Sequence, residues 1–359
     1  MKKTVLFLAA VMSLSCAWSQ NLSKRESKSL QAFISQPSAK GGNNGEALGF
    51  QGGNVANIPG ITVSNGHVTD IKWDGKDLGG SLDLSAFPAL QKVDISNNKI
   101  KNLSVAGAPS LVELNASKNR ISEISLQGCD QLQTLRLNRN RLSEIDLSGT
   151  PFLKKLNVSS NQIADLNVSN AVNLTYLNCM SNRLEELSVD GCPALRTLYA
   201  GYNDLSGITL SGLVKLENLN LQGNKIQKLY VQELPSLVTL ACNDNHMQEL
   251  VINGCKALND VFAPYNDLTT FTVTGTPTLG FVNLEWNDLT YVDLSNLSFL
   301  QRVNLSNNQL QTLDVSFDQM LTHLNISYNV NLTDLRTIGD TQLRQIVGEW
   351  SNFNEPENF

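Results

Sequence analysis

Apolar residues recur along this chain with a period of 21. Leu stands at 90, 111, 132 and every twenty-first position as far as 321, and an Asn follows each of them eight residues later. Position four of every unit is Leu or Val and position six is apolar, as in Leu132-x-x-Leu135-x-Leu137-x-x-Asn140-x-Leu142. Residues two apart on a strand share a face, so positions four and six point the same way. One such unit cannot bury that face alone. Stacked units pair their strands into a parallel sheet and align the inward residues into continuous columns. The second half of each unit repeats the arrangement more weakly, as in Ile145-Asp146-Leu147-Ser148-Gly149 and Leu166-Asn167-Val168-Ser169-Asn170. A coil of 21 residues leaves little room for a helix on its back. The pattern therefore predicts a curved right-handed solenoid with a parallel sheet on the concave face and a narrow, mostly extended convex face.

The invariant Asn at position nine falls where the chain turns while still buried, leaving backbone groups that must be paired. An amide both donates and accepts, so a column of amides can tie one coil to the next, whereas Asp would lack the donor and bring buried charge. The column from Asn98 to Asn329 is expected to be structural. The Asn-x-Ser sequons, such as Asn157-Val158-Ser159, follow from the same consensus and argue little for glycosylation.

Twelve units in register, from Leu90 to Thr341, cover about 70% of the chain. They resemble the leucine-rich repeat family, in particular its bacterial 21-residue class, whose two half-units mimic each other. That resemblance implies a solenoid that binds a protein or peptide on its concave face. The segments His67 to Trp73 and Leu78 to Leu82 open an irregular first repeat, similar to the N-terminal cap of plant-type extracellular repeat proteins but without their cysteine pair.

The remaining segments are expected to be ends. Lys2 and Lys3 followed by an apolar Thr4–Leu14 run read as a signal peptide, too short to span a bilayer, with cleavage before Gln20. Acylation at Cys16 is the less favoured alternative, because Ser13 stands where lipoprotein signals usually carry Leu. Residues 1–19 are thus assigned to the signal, 20–89 to a cap with the irregular first repeat, 90–341 to the twelve units and 342–359 to a C-terminal cap or tail. Ser23-Lys24-Arg25-Glu26 reads as a capping box, with Leu30, Phe33 and Ile34 on one helical face and Pro37 as the stop. Gly41 to Gly60 reads as a loop. Leu335, Leu343, Ile346 and Trp350 are expected to seal the last coil. The chain is expected to be periplasmic, cell-surface or secreted, with no transmembrane segment.

Composition narrows the chemistry. The 359 residues hold 27 Lys+Arg, 33 Asp+Glu and three His, for a net charge of −6 that becomes −8 once Lys2 and Lys3 are removed. That balance is no electrostatic footprint for nucleic acid. His67, His246 and His323 are isolated, and no zinc-binding, phosphate-cradling or nucleophile-elbow motif occurs. No enzyme, metal or cofactor is expected. Apart from Cys16, the cysteines fall in two columns, Cys179 and Cys242 at position six and Cys129, Cys192 and Cys255 at position nineteen. Members of one column are at least three coils apart, roughly 14 Å, too far for a disulfide. Bridges within a coil, Cys179–Cys192 or Cys242–Cys255, stay open on spacing, although small buried hydrophobes are the better expectation. The 63-residue spacing also marks 174–236 and 237–299 as duplicates.

Binding residues are sought at positions three, five, seven and eight, which project onto the concave face or its ascending edge. Counting the irregular unit as the first, repeats two to six carry small and charged residues there. From repeat seven on, aromatics enter: Tyr199, Tyr202, Phe262, Tyr265, Phe281 and Trp286, flanked by Tyr176 and Tyr328. Phe281 and Trp286 have Asn218 and Gly223 as their duplicated counterparts, so ancestry does not account for them. Position ten reads Lys99, Arg120, Arg141, Gln162 and Arg183, then Asp204, Lys225, His246, Asp267 and Asp288. Glu123, Glu144 and Glu186 stand three residues beyond the basic positions, so much of the basic half is expected to be self-compensated, while the acidic half sits beside the aromatics. The candidate site is Tyr199, Tyr202, Asp204, Phe262, Tyr265, Asp267, Phe281, Trp286 and Asp288. Its expected ligand is a protein or peptide; a carbohydrate on the same aromatics, or a passive envelope scaffold, are the alternatives.

Overall fold

The computed structural model describes residues 21–169 and 171–337, together with the backbone of 345–346. The signal segment, Leu343 and Trp350 lie outside the described residues. The chain winds into a solenoid whose principal sheet has fifteen strands. It opens on an antiparallel hairpin, Ile61–Ser64 with His67–Lys72. Asn65 and Gly66 form the two-residue loop, with φ of 50° and 77°, the geometry for which Asn-Gly is selected. Every later pairing is parallel. Lys92–Asp94 pairs with Glu113–Asn115, which pairs with Thr134–Arg136, and the register advances by 21 residues per strand through His323–Asn325. Smaller sheets form behind it from the second half-units, for example Lys228–Gln232, Glu249–Asn253 and Thr270–Thr274. Among the described residues of the repeats there is no helix.

The inward columns are as the period predicts. Position four, from Leu114 to Leu324, is shut off from solvent, and so is nearly all of position six. The Asn column links the coils by one repeated scheme. In Asn203 the amide nitrogen donates to the carbonyls of Ala200 (3.0 Å) and of Cys179 one coil back (3.1 Å), and the amide oxygen accepts from Leu184 N (3.1 Å). Asn at position five has a different, local task. In Asn157 the side-chain oxygen accepts from the backbone N–H of Ser159 (3.0 Å) and from its hydroxyl (2.8 Å), so the sequon is a turn device.

The N-terminal cap departs from expectation in one respect. The helix Lys24–Ile34 forms, Ser23 caps it by accepting from Glu26 N (3.3 Å), and Leu30, Phe33 and Ile34 are buried. Glu26, however, does not return a bond to Ser23. It is fully buried and accepts from Val68 N (3.1 Å) and faces His67 Nδ1 (3.1 Å), pinning the helix to the hairpin. The reciprocal capping box lies in the glycine-rich stretch instead, where Asn43 and Glu46 start the short helix Asn44–Ala47. Trp73 packs face to face on Phe33, 5.6 Å between centroids, and its Nε1–H donates to Pro59 O (2.9 Å).

All five described cysteines are free and buried, which closes the question of bridges within a coil. Burial pushes the Cys179 thiol up to about 12 and those of Cys129 and Cys192 to about 11. At neutral pH they are protonated and shielded, and the thiolate is the reactive form. The native protein is therefore expected to leave these thiols unmodified by an aromatic disulfide reagent, and all five to react on denaturation. Stoichiometric reaction before unfolding would contradict this burial.

Candidate functional site: the ascending edge of repeats seven to eleven

Position eight, where the chain leaves the sheet, is left-handed in every repeat. Asn97, Lys118, Arg139, Ser160, Ser181, Gly223, Asp244 and Asn307 all adopt φ between 52° and 64° there, as do Tyr202 (54°), Tyr265 (55°) and Trp286 (53°). Gly and Asn adopt this conformation at little cost, whereas a bulky side chain disfavours it by on the order of 1 kcal/mol. The fold therefore dictates the conformation but not the aromatic. Tyr265 and Trp286 stack across adjacent coils, 6.2 Å apart and 14° from parallel, and each remains about half exposed (52% and 50%). Tyr202, also half exposed, leans over the next coil, where Gly223 leaves room. A Cβ at Gly223 would lie 2.6 Å from Tyr202 Cδ1.

The concave-face aromatics behave differently. Tyr199 meets Tyr176 edge to face (5.9 Å), and burial raises the pKa of its hydroxyl. Phe262 is half buried and packs on Phe281 at 5.0 Å. Phe281 itself is only 2% exposed, covered by Phe262 and by the guanidinium of Arg302, 5.4 Å from the ring centroid. It supports the surface from below and does not face a ligand, because its long neighbours on the next strands fold over it. Tyr199 and Phe262 occupy position five, where Asn in most other repeats makes the turn bond, and so give that bond up. Beside Tyr199, the Asn220 side chain is fully buried and its Nδ2 has no hydrogen-bond partner.

The charges depart from the expectation for the basic half. The acidic half of the edge is engaged: Asp204 pairs with Lys225 (2.6 Å), Asp267 with His246 (3.5 Å), and Asp288 accepts from Gln309 Nε2 (2.7 Å). Asp204 in turn raises the pKa of Lys225, first by the hydrogen bond and then by its charge. The basic half is not compensated. Among the described residues, none of Lys99, Lys118, Arg120, Arg139, Arg141 and Arg183 has a carboxylate within ion-pair distance. Glu123 and Glu144 lie on or near the second half-unit, turned away by the coil, so sequence proximity does not become contact. The aromatics divide into an edge group (Tyr202, Tyr265, Trp286) and a concave group (Tyr199, Phe262, Phe281). Sequence reading by columns missed further exposed aromatics outside positions three to eight, Phe152, Tyr230, Tyr291, Phe299 and Phe317. No described group of three or more His, Cys, Asp or Glu is placed to hold a metal ion, and no described helix is long and apolar enough to cross a membrane.

A leucine-rich repeat family model matches residues 150–166, within the regular units. The fold is that of the leucine-rich repeat. Similar leucine-rich repeat folds occur in bacteria. The functional domain of InlJ from Listeria monocytogenes, described with a cysteine ladder, superposes with a TM-score of 0.65 at 20% identity over 88% of this chain. This chain spans 64% of that domain. The internalin InlF of the same organism gives 0.60 at 18% identity, covering 87% of this chain and 94% of its own. A leucine-rich repeat protein of Leptospira interrogans gives 0.59 at 22% identity, covering 73% and 79%. At such identities the likeness is one of fold. No relative among curated proteins matches the sequence.

Proposed function

We propose that this leucine-rich repeat chain is an exported binding protein that engages a protein or peptide ligand at the ascending edge and adjoining concave face of repeats seven to eleven. The observation that carries the reading is the Tyr265–Trp286 stack, two half-exposed aromatic rings on left-handed residues where the flanking repeats carry Asp244 and Asn307. Large aromatics dominate binding energy at interfaces because they bury much area with few rotatable bonds. Here they carry a backbone cost that packing within the solenoid does not require. Tyr202 extends the same edge, and Asp204, Asp267 and Asp288 form its polar rim.

The test is the double variant Trp286→Asn, Tyr265→Asn, which installs the residue that Asn307 already uses at this position. It should fold with an unchanged or slightly higher unfolding midpoint. Partners captured by the wild type from surface extracts should bind at least about tenfold more weakly. A folded double variant that keeps every partner overturns the proposal. Capture of glycans alone, read on a glycan array, would replace the protein ligand by a carbohydrate. Phe281→Ala is unsuitable for this purpose, since it removes a buried side chain.

A further inference from the structure

Repeats two to five present a face unlike the aromatic half. Positions three, five, seven, eight and ten of these four repeats hold no aliphatic or aromatic side chain. On the ascending edge the charged members are all basic: Lys99 in repeat two, Lys118 and Arg120 in repeat three, Arg139 and Arg141 in repeat four. All five are exposed, and none is paired with a carboxylate among the described residues. They stand on three successive coils, and adjacent strands lie about 4.8 Å apart, so the cations form a row along the solenoid axis. Three acids border the row: Asp94 and Glu113 on the concave face, and Asp74, whose charge acts on Lys118. Glu113 pairs with Lys92 on the concave face, and Asp74, at the N-terminal end of the row, accepts from Ser96 Oγ (2.7 Å) and Asn97 Nδ2 (2.6 Å).

We propose that this row is a second binding site, separate from the aromatic edge, whose ligand is a linear acidic polysaccharide bearing uronate or sulfate groups. The charge calls for an anion, and arginine presents a planar fork that suits carboxylate and sulfate oxygens. A linear row calls for a linear ligand. The absence of any apolar anchor argues against a folded protein, whose interfaces centre on buried aromatic or aliphatic groups. The absence of aromatics likewise argues against single-stranded nucleic acid, which is held by stacking.

The four-site variant Lys118→Ser, Arg120→Gln, Arg139→Ser, Arg141→Gln tests this on the full chain. It uses residues native to the same positions in repeat five, Ser160 (φ 55°) and Gln162, so the coil is kept. The probes are polygalacturonate and heparin, with dextran as the neutral control and polyglutamate as an acidic polypeptide. The wild type should bind both acidic polysaccharides at low salt, release them as salt rises, and ignore dextran. The variant should bind them roughly tenfold to a hundredfold more weakly, the sum of four exposed charge contacts. The Trp286→Asn, Tyr265→Asn protein should bind them as the wild type does, which keeps this site distinct from the aromatic one. Salt dependence of the wild type serves should the four-site variant misfold. Failure of the wild type to bind either polysaccharide overturns the proposal, as does a folded variant that binds equally well. Equal affinity for polyglutamate overturns it in favour of an acidic protein segment.

Discussion

Asn203→Asp is expected to destabilise the solenoid by about 3–5 kcal/mol, the range for a buried charge stripped of its partner. The native amide nitrogen points at the carbonyls of Cys179, Ala200 and Gly201, at 3.0 to 3.2 Å. A carboxylate there has no hydrogen to give and faces three lone-pair-bearing oxygens in a nearly dry site. Asn203→Ala should cost less, about 2–3 kcal/mol, because it leaves carbonyls and the Leu184 N–H unpaired without adding charge. Stacked repeats are coupled to their nearest neighbours and need not unfold together. Urea titration should therefore be followed at tryptophans placed at the two ends, Trp73 and Trp286. An Asn203→Asp midpoint close to that of wild type would mean that the column does not hold the coils together.

Trp73→Ala is expected to cost about 3–5 kcal/mol, as large-to-small changes of a buried indole do. Trp73 is fully buried, stacks on Phe33 of the cap helix and donates to Pro59 O. The chain closes tightly around it. A Cβ at Gly60 (φ 84°) would come within 2.9 Å of Trp73 Cδ1 and 2.3 Å of Lys72 O. Removing the indole detaches helix from hairpin and opens the apolar end of the first coil, where Val68, Ile71 and Leu78 are shielded from solvent. Terminal repeats need such covers. The variant should show early proteolysis within 21–89 while the later repeats resist. A loss below about 1 kcal/mol, or cleavage spread evenly along the chain, would show that the cap is not coupled to the repeats through this residue.

Much of the fold is legible in the sequence because a single period repeats twelve times, and each column meets the same environment in every coil. Leu at position four and Asn at position nine have their roles fixed by that translation, and the hydrogen bonds of Asn119, Asn203 and Asn329 follow one scheme. The ends are less legible, because nothing averages there. Ser23 and Glu26 have capping-box spacing, yet Glu26 serves the hairpin, a contact 42 residues away. Asn65-Gly66 is a hairpin signal in the sequence that the 21-residue period does not carry. In the candidate site the aromatic residue types were readable and their fates were not. Phe281 and Trp286 both belong to outward columns, but one is covered by Arg302 and Phe262 while the other stays open.

By itself, the sequence determined the solenoid, its 21-residue pitch, the inward Leu and Asn columns, and the concentration of aromatics after repeat six. These depend on local periodicity and on identical neighbours one coil away. The tertiary structure decided which outward residues are available and which charges are paired. It made position eight left-handed, which turns Tyr265 and Trp286 into costly choices, and it placed Lys225 and His246 against the acids while leaving Arg120 and Arg141 without carboxylate partners among the described residues. Pairing is fixed by side-chain reach between adjacent coils, a distance across the stack. Separation along the chain, by which Glu123 looked close to Arg120, does not measure it.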